Sequence, residues 1–177
     1  METIINNSSE LSYVNFVTNK VRAIIIDSNN NIIVTKYADM FMLPGGKVDK
    51  NESLEEAIIR ELKEELGIVY NIDELLPFVC YQNYIKNYKL NDSYVNKLNK
   101  TFYYIIYSDK KINYNNVELS DREKNNNFSV FNMNLCDVIK LVSSYESKNV
   151  RNSYFRKELL DVLNSVKSNN KILVKKR

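Results

Sequence analysis

The chain has 177 residues and three glycines, and all three (Gly45, Gly46 and Gly67) fall between residues 43 and 68. Glycine is needed where a backbone takes positive φ or lets something approach closely. A chain that withholds it everywhere else has its special backbone here. The stretch reads LPGGKVDKNESLEEAIIRELKEELGI, a loop, a helix and a loop. Ser53 followed by Glu56 is the capping-box pattern of a helix start, and Gly67 supplies a left-handed C-terminal cap. The residues between are mostly good helix formers. At about 100° per residue, Ile58, Ile59, Leu62 and Leu66 make one apolar face. Glu61, Glu64 and Glu65, spaced i, i+3 and i+4, fall together on the adjoining face. Three carboxylates on one seam repel one another unless a cation sits among them, and the seam invites a hard divalent metal. A solvated helix face, with Glu56–Arg60 and Arg60–Glu64 as i,i+4 ion pairs, is the competing reading of an acidic helix taken alone.

The longer spacing decides between them. Gly46, five residues, Glu52, seven residues, then Arg60-Glu61-Leu62-x-Glu64-Glu65-x-Gly67-Ile68 fits the signature of the Nudix hydrolases at every specified position. The chain resembles that family closely over this box and its leading loop, and loosely elsewhere. The resemblance implies an α/β fold, an α/β/α sandwich around a mixed β-sheet. It implies hydrolysis of the diphosphate linkage of a nucleoside diphosphate joined to another moiety, with Mg2+ or Mn2+ as cofactor. By position, Glu61, Glu64 and Glu65 match the family's metal-binding carboxylates, and Gly46 matches the box glycine whose carbonyl often joins them. Arg60 matches the arginine that orients a catalytic glutamate, and Glu52 matches its structural partner. Glu64 or Glu61 is the expected general base, with Glu123 the rival from outside the box, ahead of Glu118. Arg22 stands where relatives hold substrate phosphate. Tyr84 lies near a tyrosine typical of dinucleoside polyphosphate hydrolases.

Composition removes the rivals. With no histidine in the chain, Ser-His-Asp triads, Cys-His pairs and His-ligated zinc are excluded, and the chemistry falls to carboxylates, Lys, Tyr, Arg, Cys or a metal. A carboxylate-only cage favours Mg2+ or Mn2+. Cys80 and Cys136 are far apart without metal-ligand spacing and read as reduced thiols. No apolar run approaches a membrane span, and the start METIINNSSE lacks the regions of a leader peptide, so the expectation is one cytoplasmic domain over residues 1–177, with a frayed basic tail from about 168 to 177. A net charge of +3 is mild. A small-molecule nucleotide is the expected partner, without a membrane, with nucleic acid not expected and with homodimerisation open.

Along the chain, Leu11, Tyr13, Val14, Phe16 and Val17 hint at a leading strand. Residues 20–26 and 31–37 are β-branched runs joined by a turn, a hairpin signal, and Met40-Phe41-Met42-Leu43 leads into the glycines. Residues 74–84 and 100–107 read as strands, and the stretch between them, read as a hairpin loop, interleaves Tyr84, Tyr88 and Tyr94 with Lys86, Lys89, Lys97 and Lys100. That composition suits stacking on a base and neutralising phosphates. Residues 128–131 read as a strand, Asn134 as the cap of a helix through Leu141, and Phe155, Leu159, Leu160, Leu163 and Val166 as a C-terminal helix. The substrate stays open: the downstream proline of many ADP-ribose hydrolases is missing, and no coenzyme A signature appears. A second class of function also stays open, a catalytically weak module of the same fold that binds or senses a nucleotide or RNA.

Overall fold

A computed structural model describes residues 1–5, 13–145 and 150–174. In order, the elements are β1 (Glu2–Ile5), β2 (Phe16–Ile26), β3 (Asn31–Tyr37), β4 (Met40–Met42), α1 (Leu54–Leu66), β5 (Leu76–Leu90), β6 (Ser93–Tyr107), α2 (Asp121–Asn125), β7 (Ser129–Asn134), α3 (Leu135–Ser144) and α4 (Val150–Val174). Short 3₁₀ turns occupy Ile72–Glu74 and Tyr114–Asn116. The strands hydrogen-bond in the order β1-β5-β6-β2-β3-β4, with β7 also on β3. β1 runs parallel to β5, while the β5–β6, β2–β3, β3–β4 and β3–β7 pairs are antiparallel. The fold is α/β around a mixed sheet, as expected.

Contacts gather the chain into two compact units. The first comprises Met1–Ile24, Gly45–Ile106 and Lys110–Glu118. Its core is built by β2, α1, β5 and β6, which bury Val21, Ala23, Ile24, Ile58, Leu62, Leu66, Tyr81, Tyr104 and Ile106. Each Val, Leu or Ile among them contributes about 1.5–3 kcal/mol of burial. Helix α1 forms where the Ser-x-x-Glu signal places it: Ser53 and Glu56 close a capping box, and Gly67 ends the helix at φ 64 with its N–H on the Lys63 carbonyl. The carbonyls that the last turn leaves over are taken up by the following segment, Asn113 N–H bonding Leu66 O at 2.9 Å and Glu118 N–H bonding Glu64 O at 2.9 Å. The Glu56–Arg60 pair of the solvated-face reading is absent from the bonds Glu56 makes, because its carboxylate accepts from the Ser53 N–H and hydroxyl. Ile59 is only half-buried, and Glu65 takes a place on the buried face.

The stretch read as a loop between two strands is itself paired. β5 runs on to Leu90 and β6 starts at Ser93, forming a long hairpin with two register shifts and a turn of Asn91 and Asp92. Asn91 takes φ 52 there, a conformation asparagine tolerates. Long Tyr, Ile and Val side chains alternating with Lys and Asn suit a two-faced ribbon better than a loop.

The second unit comprises Ile25–Pro44, Tyr107–Asp109 and Leu119–Arg177. Here β3 pairs with β7 from Asn31 to Lys36 and with β4 at its far end, and Ile32, Ile33 and Val34 are buried. Asn134 caps α3, its side-chain oxygen accepting the Cys136 N–H at 3.0 Å. In α4, Leu159, Val162, Leu163 and Val166 are buried, as is Glu158. The helix runs on to Val174, past residue 168 where fraying was expected, and residues 175–177 lie outside the described residues. Of the expected leading strand, Phe16 and Val17 open β2, Tyr13 and Val14 precede it, and Leu11 lies outside the described residues; β1, at Glu2–Ile5, was not foreseen. Both cysteines are free, Cys80 buried and Cys136 exposed. Among the described residues no helix is long and apolar enough to cross a membrane.

Candidate active site

The loop after β4 is stitched to β2. Val21 N–H donates to Gly46 O at 2.9 Å and Val48 N–H to Asn19 O at 3.1 Å, with Lys20 bridged antiparallel to Lys47. This holds the glycine turn against the acidic edge of α1. A Cβ added at Gly46 would lie 2.3 Å from Glu61 Oε1, so the Glu61 carboxylate fills the space that any other residue at 46 would claim. Gly45 is held from both sides: its N–H donates to Glu65 Oε2 at 2.8 Å, and its carbonyl accepts from Arg22 Nη1.

Arg60 is the hub. Its Nε donates to Glu52 Oε1 at 2.8 Å and its Nη2 to Glu52 Oε2 at 3.0 Å, a forked pair. Nη2 also reaches Lys47 O at 3.1 Å. Nη1 serves two box carboxylates at once, Glu61 Oε1 at 3.0 Å and Glu64 Oε2 at 3.3 Å. A guanidinium carries five N–H donors in a rigid fork, and here five acceptors meet them. Asp49 stands further off, at 3.9 Å from Nη2.

The three box glutamates sit in three environments. The Glu61 side chain is 12% exposed and that of Glu64 39%, while Glu65 is buried at 4%. Burial pushes the Glu61 carboxyl above its ordinary value, and the charges of Arg60 and Arg22 pull the other way. Hydrogen bonding to Arg60 holds Glu52 below the usual carboxylate range, and the same bond raises Arg60 further. The structure thus brings Arg22, Gly46, Glu52, Arg60, Glu61 and Glu64 together around one turn, with Glu65 directed at the Gly45 amide. Among the described residues no three acidic or thiol side chains already converge as a metal cage. Glu61 and Glu64 share the Arg60 cation instead.

Two expected residues are placed otherwise. Glu123 closes the capping box of α2, its Oε2 accepting the Ser120 N–H and hydroxyl, both at 2.7 Å. The signal was legible, since Ser120-x-x-Glu123 repeats the Ser53-x-x-Glu56 pattern. Tyr84 is half-buried on β5 with its hydroxyl on Gln82 Oε1 at 3.3 Å. Missed by sequence reasoning were the Lys47 carbonyl and the Gly45 amide, backbone groups that no side-chain pattern announces.

The family model described as NUDIX domain matches residues 18–152. The chain belongs to the Nudix family. It is similar to the ADP-ribose pyrophosphatase of Methanocaldococcus jannaschii, 40% identical over 57 residues that make up 29% of this chain and 34% of that one. It is also similar to the 8-oxo-dGTP diphosphatase of Proteus vulgaris, 37% identical over 64 residues, 33% of this chain and 57% of that one. The matched stretches thus span between about a third and just over half of those two Nudix relatives. Among solved structures, an Ap4A hydrolase of C. elegans in a binary complex superposes with a TM-score of 0.54 at 16% identity, covering 87% of this chain and 98% of that one. At that identity it shares the Nudix fold, with its mixed sheet and helices.

Proposed function

We propose that this Nudix protein is a metal-dependent pyrophosphohydrolase, cleaving the phosphoanhydride of a nucleoside diphosphate linked to a further moiety. The Arg60 hub carries the reading: one guanidinium fixes Glu52, the Lys47 carbonyl, Glu61 and Glu64 beside the glycine turn. Two carboxylates steered towards one cation and a glycine whose missing Cβ makes room for Glu61 form an oxygen-only donor set, which fits Mg2+ or Mn2+. Glu61, Glu64 and Glu65 would hold the ion, with the Gly46 carbonyl, which has a second lone pair beyond the one facing Val21 N–H. Bound there, it would supply charge neutralisation on phosphoryl oxygens and an acidified water.

The side chains divide the remaining work. Glu64 or Glu61 accepts a proton from the attacking water as the water oxygen bonds to one phosphorus and the bridging P–O bond breaks, leaving two phosphate monoesters, or a monoester and pyrophosphate where the further moiety is phosphate. Arg60 orients that carboxylate. Arg22, whose charge already acts on Glu61, would hold substrate phosphate, and Tyr84 would contact the nucleoside end.

A binding or sensing module is the second reading, favoured by one observation: Arg60, rather than a gap, lies between Glu61 and Glu64. The test is a panel of nucleoside triphosphates, 8-oxo-dGTP, ADP-ribose, nucleotide sugars and dinucleoside polyphosphates, each with Mg2+ and with Mn2+, read by release of nucleoside monophosphate or phosphate. At least one is expected to turn over, and Glu64→Gln to lower that rate by several orders of magnitude with an unchanged circular-dichroism spectrum. Calorimetric binding with no product from any member would select the sensing reading.

A further inference from the structure

The hairpin of β5 and β6 has a sided chemistry of which the reaction proposed above uses only Tyr84. Both register shifts add a residue to β5, so β6 alternates without interruption from Tyr94 to Tyr104. Tyr94, Asn96, Leu98, Lys100, Phe102 and Tyr104 therefore share one face. The Tyr104 hydroxyl donates to Glu55 of α1 at 2.7 Å, which makes it the face on the α1 side. Directly across from these residues on β5 stand Lys89 opposite Tyr94, Tyr84 opposite Leu98, and Gln82 opposite Lys100. Lys89 is exposed, Tyr94 is 69% exposed, and Tyr84 and Lys100 are half-buried. Outward from the helix the face thus reads cation, ring, then cation beside ring, over six residues or about 20 Å of strand, with Lys86 exposed near the tip. The other face is engaged within the hairpin and its neighbour strand, Lys97 Nζ lying 4.2 Å from the Tyr88 ring centroid and 5.5 Å from that of Phe16.

The hairpin as a whole is also basic. Residues 76–107 hold Lys86, Lys89, Lys97 and Lys100 against Asp92, a net of +3, which equals the formal net charge of the whole chain and leaves the rest neutral. The mildness that made nucleic acid an unexpected partner is an average over the chain, and this hairpin is one of its basic stretches, as residues 167–177 are another.

We infer that the α1 side of the β5–β6 hairpin is a binding track for a short stretch of single-stranded nucleic acid. Its lysines meet the phosphates, and exposed Tyr94 and half-buried Tyr84 offer rings to unpaired bases. A ring of this kind is sequence-tolerant because every base has a π face, whereas a protein partner would call for a desolvated apolar centre in place of exposed lysines.

The test is fluorescence anisotropy of a short single-stranded RNA labelled at its 3′ end, titrated with the full chain in EDTA, so that hydrolysis plays no part and the result stands apart from the enzymatic reading. Binding is expected to weaken as salt rises from about 50 to 200 mM, with a log–log slope near −2 for contacts by three lysines. The double variant Lys89→Ala/Tyr94→Ala should weaken it by about tenfold or more. Lys140→Ala, which removes the same charge from an exposed position on α3, should leave it unchanged. The inference is overturned if the double variant binds as wild type does, if Lys140→Ala weakens binding equally, or if a duplex of the same sequence binds as well as the single strand.

Discussion

An arginine with five hydrogen bonds to five acceptors is a different object from one with a single ion pair. Arg60 joins a forked bond to Glu52 with bonds to Glu61, Glu64 and a backbone carbonyl, and a lysine's ammonium cannot reproduce that plane. Arg60→Lys is expected to cost about 1–3 kcal/mol in urea-unfolding measurements, because Glu52 loses its paired donor. The accompanying misplacement of Glu61 and Glu64 should lower turnover by about a hundredfold. Gly46 separates activity from stability more cleanly. The atoms its Cβ would strike belong to the Glu61 carboxylate, the free end of a side chain that can swing away. Gly46→Ala should therefore leave the melting temperature nearly unchanged while lowering turnover by a similar factor. A variant that unfolds, or one that stays fully active, would show that the turn is not placed for Glu61.

At the scale of elements, α1 is held at its two ends by separate devices. Ser53→Ala removes the N-terminal cap and should cost about 1 kcal/mol. Gly67→Ala meets a harder obstacle, since φ is 64 and its Cβ would lie 2.1 Å from the Asn113 carbonyl oxygen, a backbone atom. It should destabilise by more than about 1 kcal/mol. Chemical denaturation of both variants checks the order, with Gly67→Ala the weaker protein. The same capping chemistry places Glu123, expected as a site residue. A glutamate three residues after a serine closes a helix start, and in α2 that bond takes up its carboxylate. Patterning alone also underread the β5–β6 hairpin, because Lys and Asn between tyrosines resemble loop composition until a partner strand gives each residue a face.

For the molecule as a whole, the pH dependence of stability follows from which carboxylates are shifted, and in which direction. Glu52 is lowered by its bond to Arg60, Glu56 by the Ser53 N–H, and Glu74 by Lys110. Groups lowered on folding add stability that is fully present above their unfolded value of about 4.5 and is lost as pH falls through the lower folded values. Glu61, raised by burial, acts in the opposite sense, returning stability as pH falls from its raised folded value towards 4.5, before that loss sets in. Urea midpoints should therefore fall steadily as pH drops below about 4.5. Glu52→Gln should flatten that fall, and Glu61→Gln should leave it at least as steep.

Local chemistry written in order along the chain was legible without coordinates: the caps at Ser53 and Gly67, the strands of residues 20–26 and 31–37, the Asn134 cap, the absence of histidine chemistry, and the spacing that marks the Nudix box. These depend on neighbours within a few residues, where geometry follows from the chain itself. Only the tertiary structure decided that Glu65 turns to the Gly45 amide while Glu61 and Glu64 share Arg60, that the Lys47 carbonyl joins the hub, and that Tyr94 and Lys89 stand together on the side of the hairpin where Tyr104 meets α1. Those partners lie on separate elements, and what joins them is the packing of strand against helix and strand against strand, which no periodicity along one segment encodes.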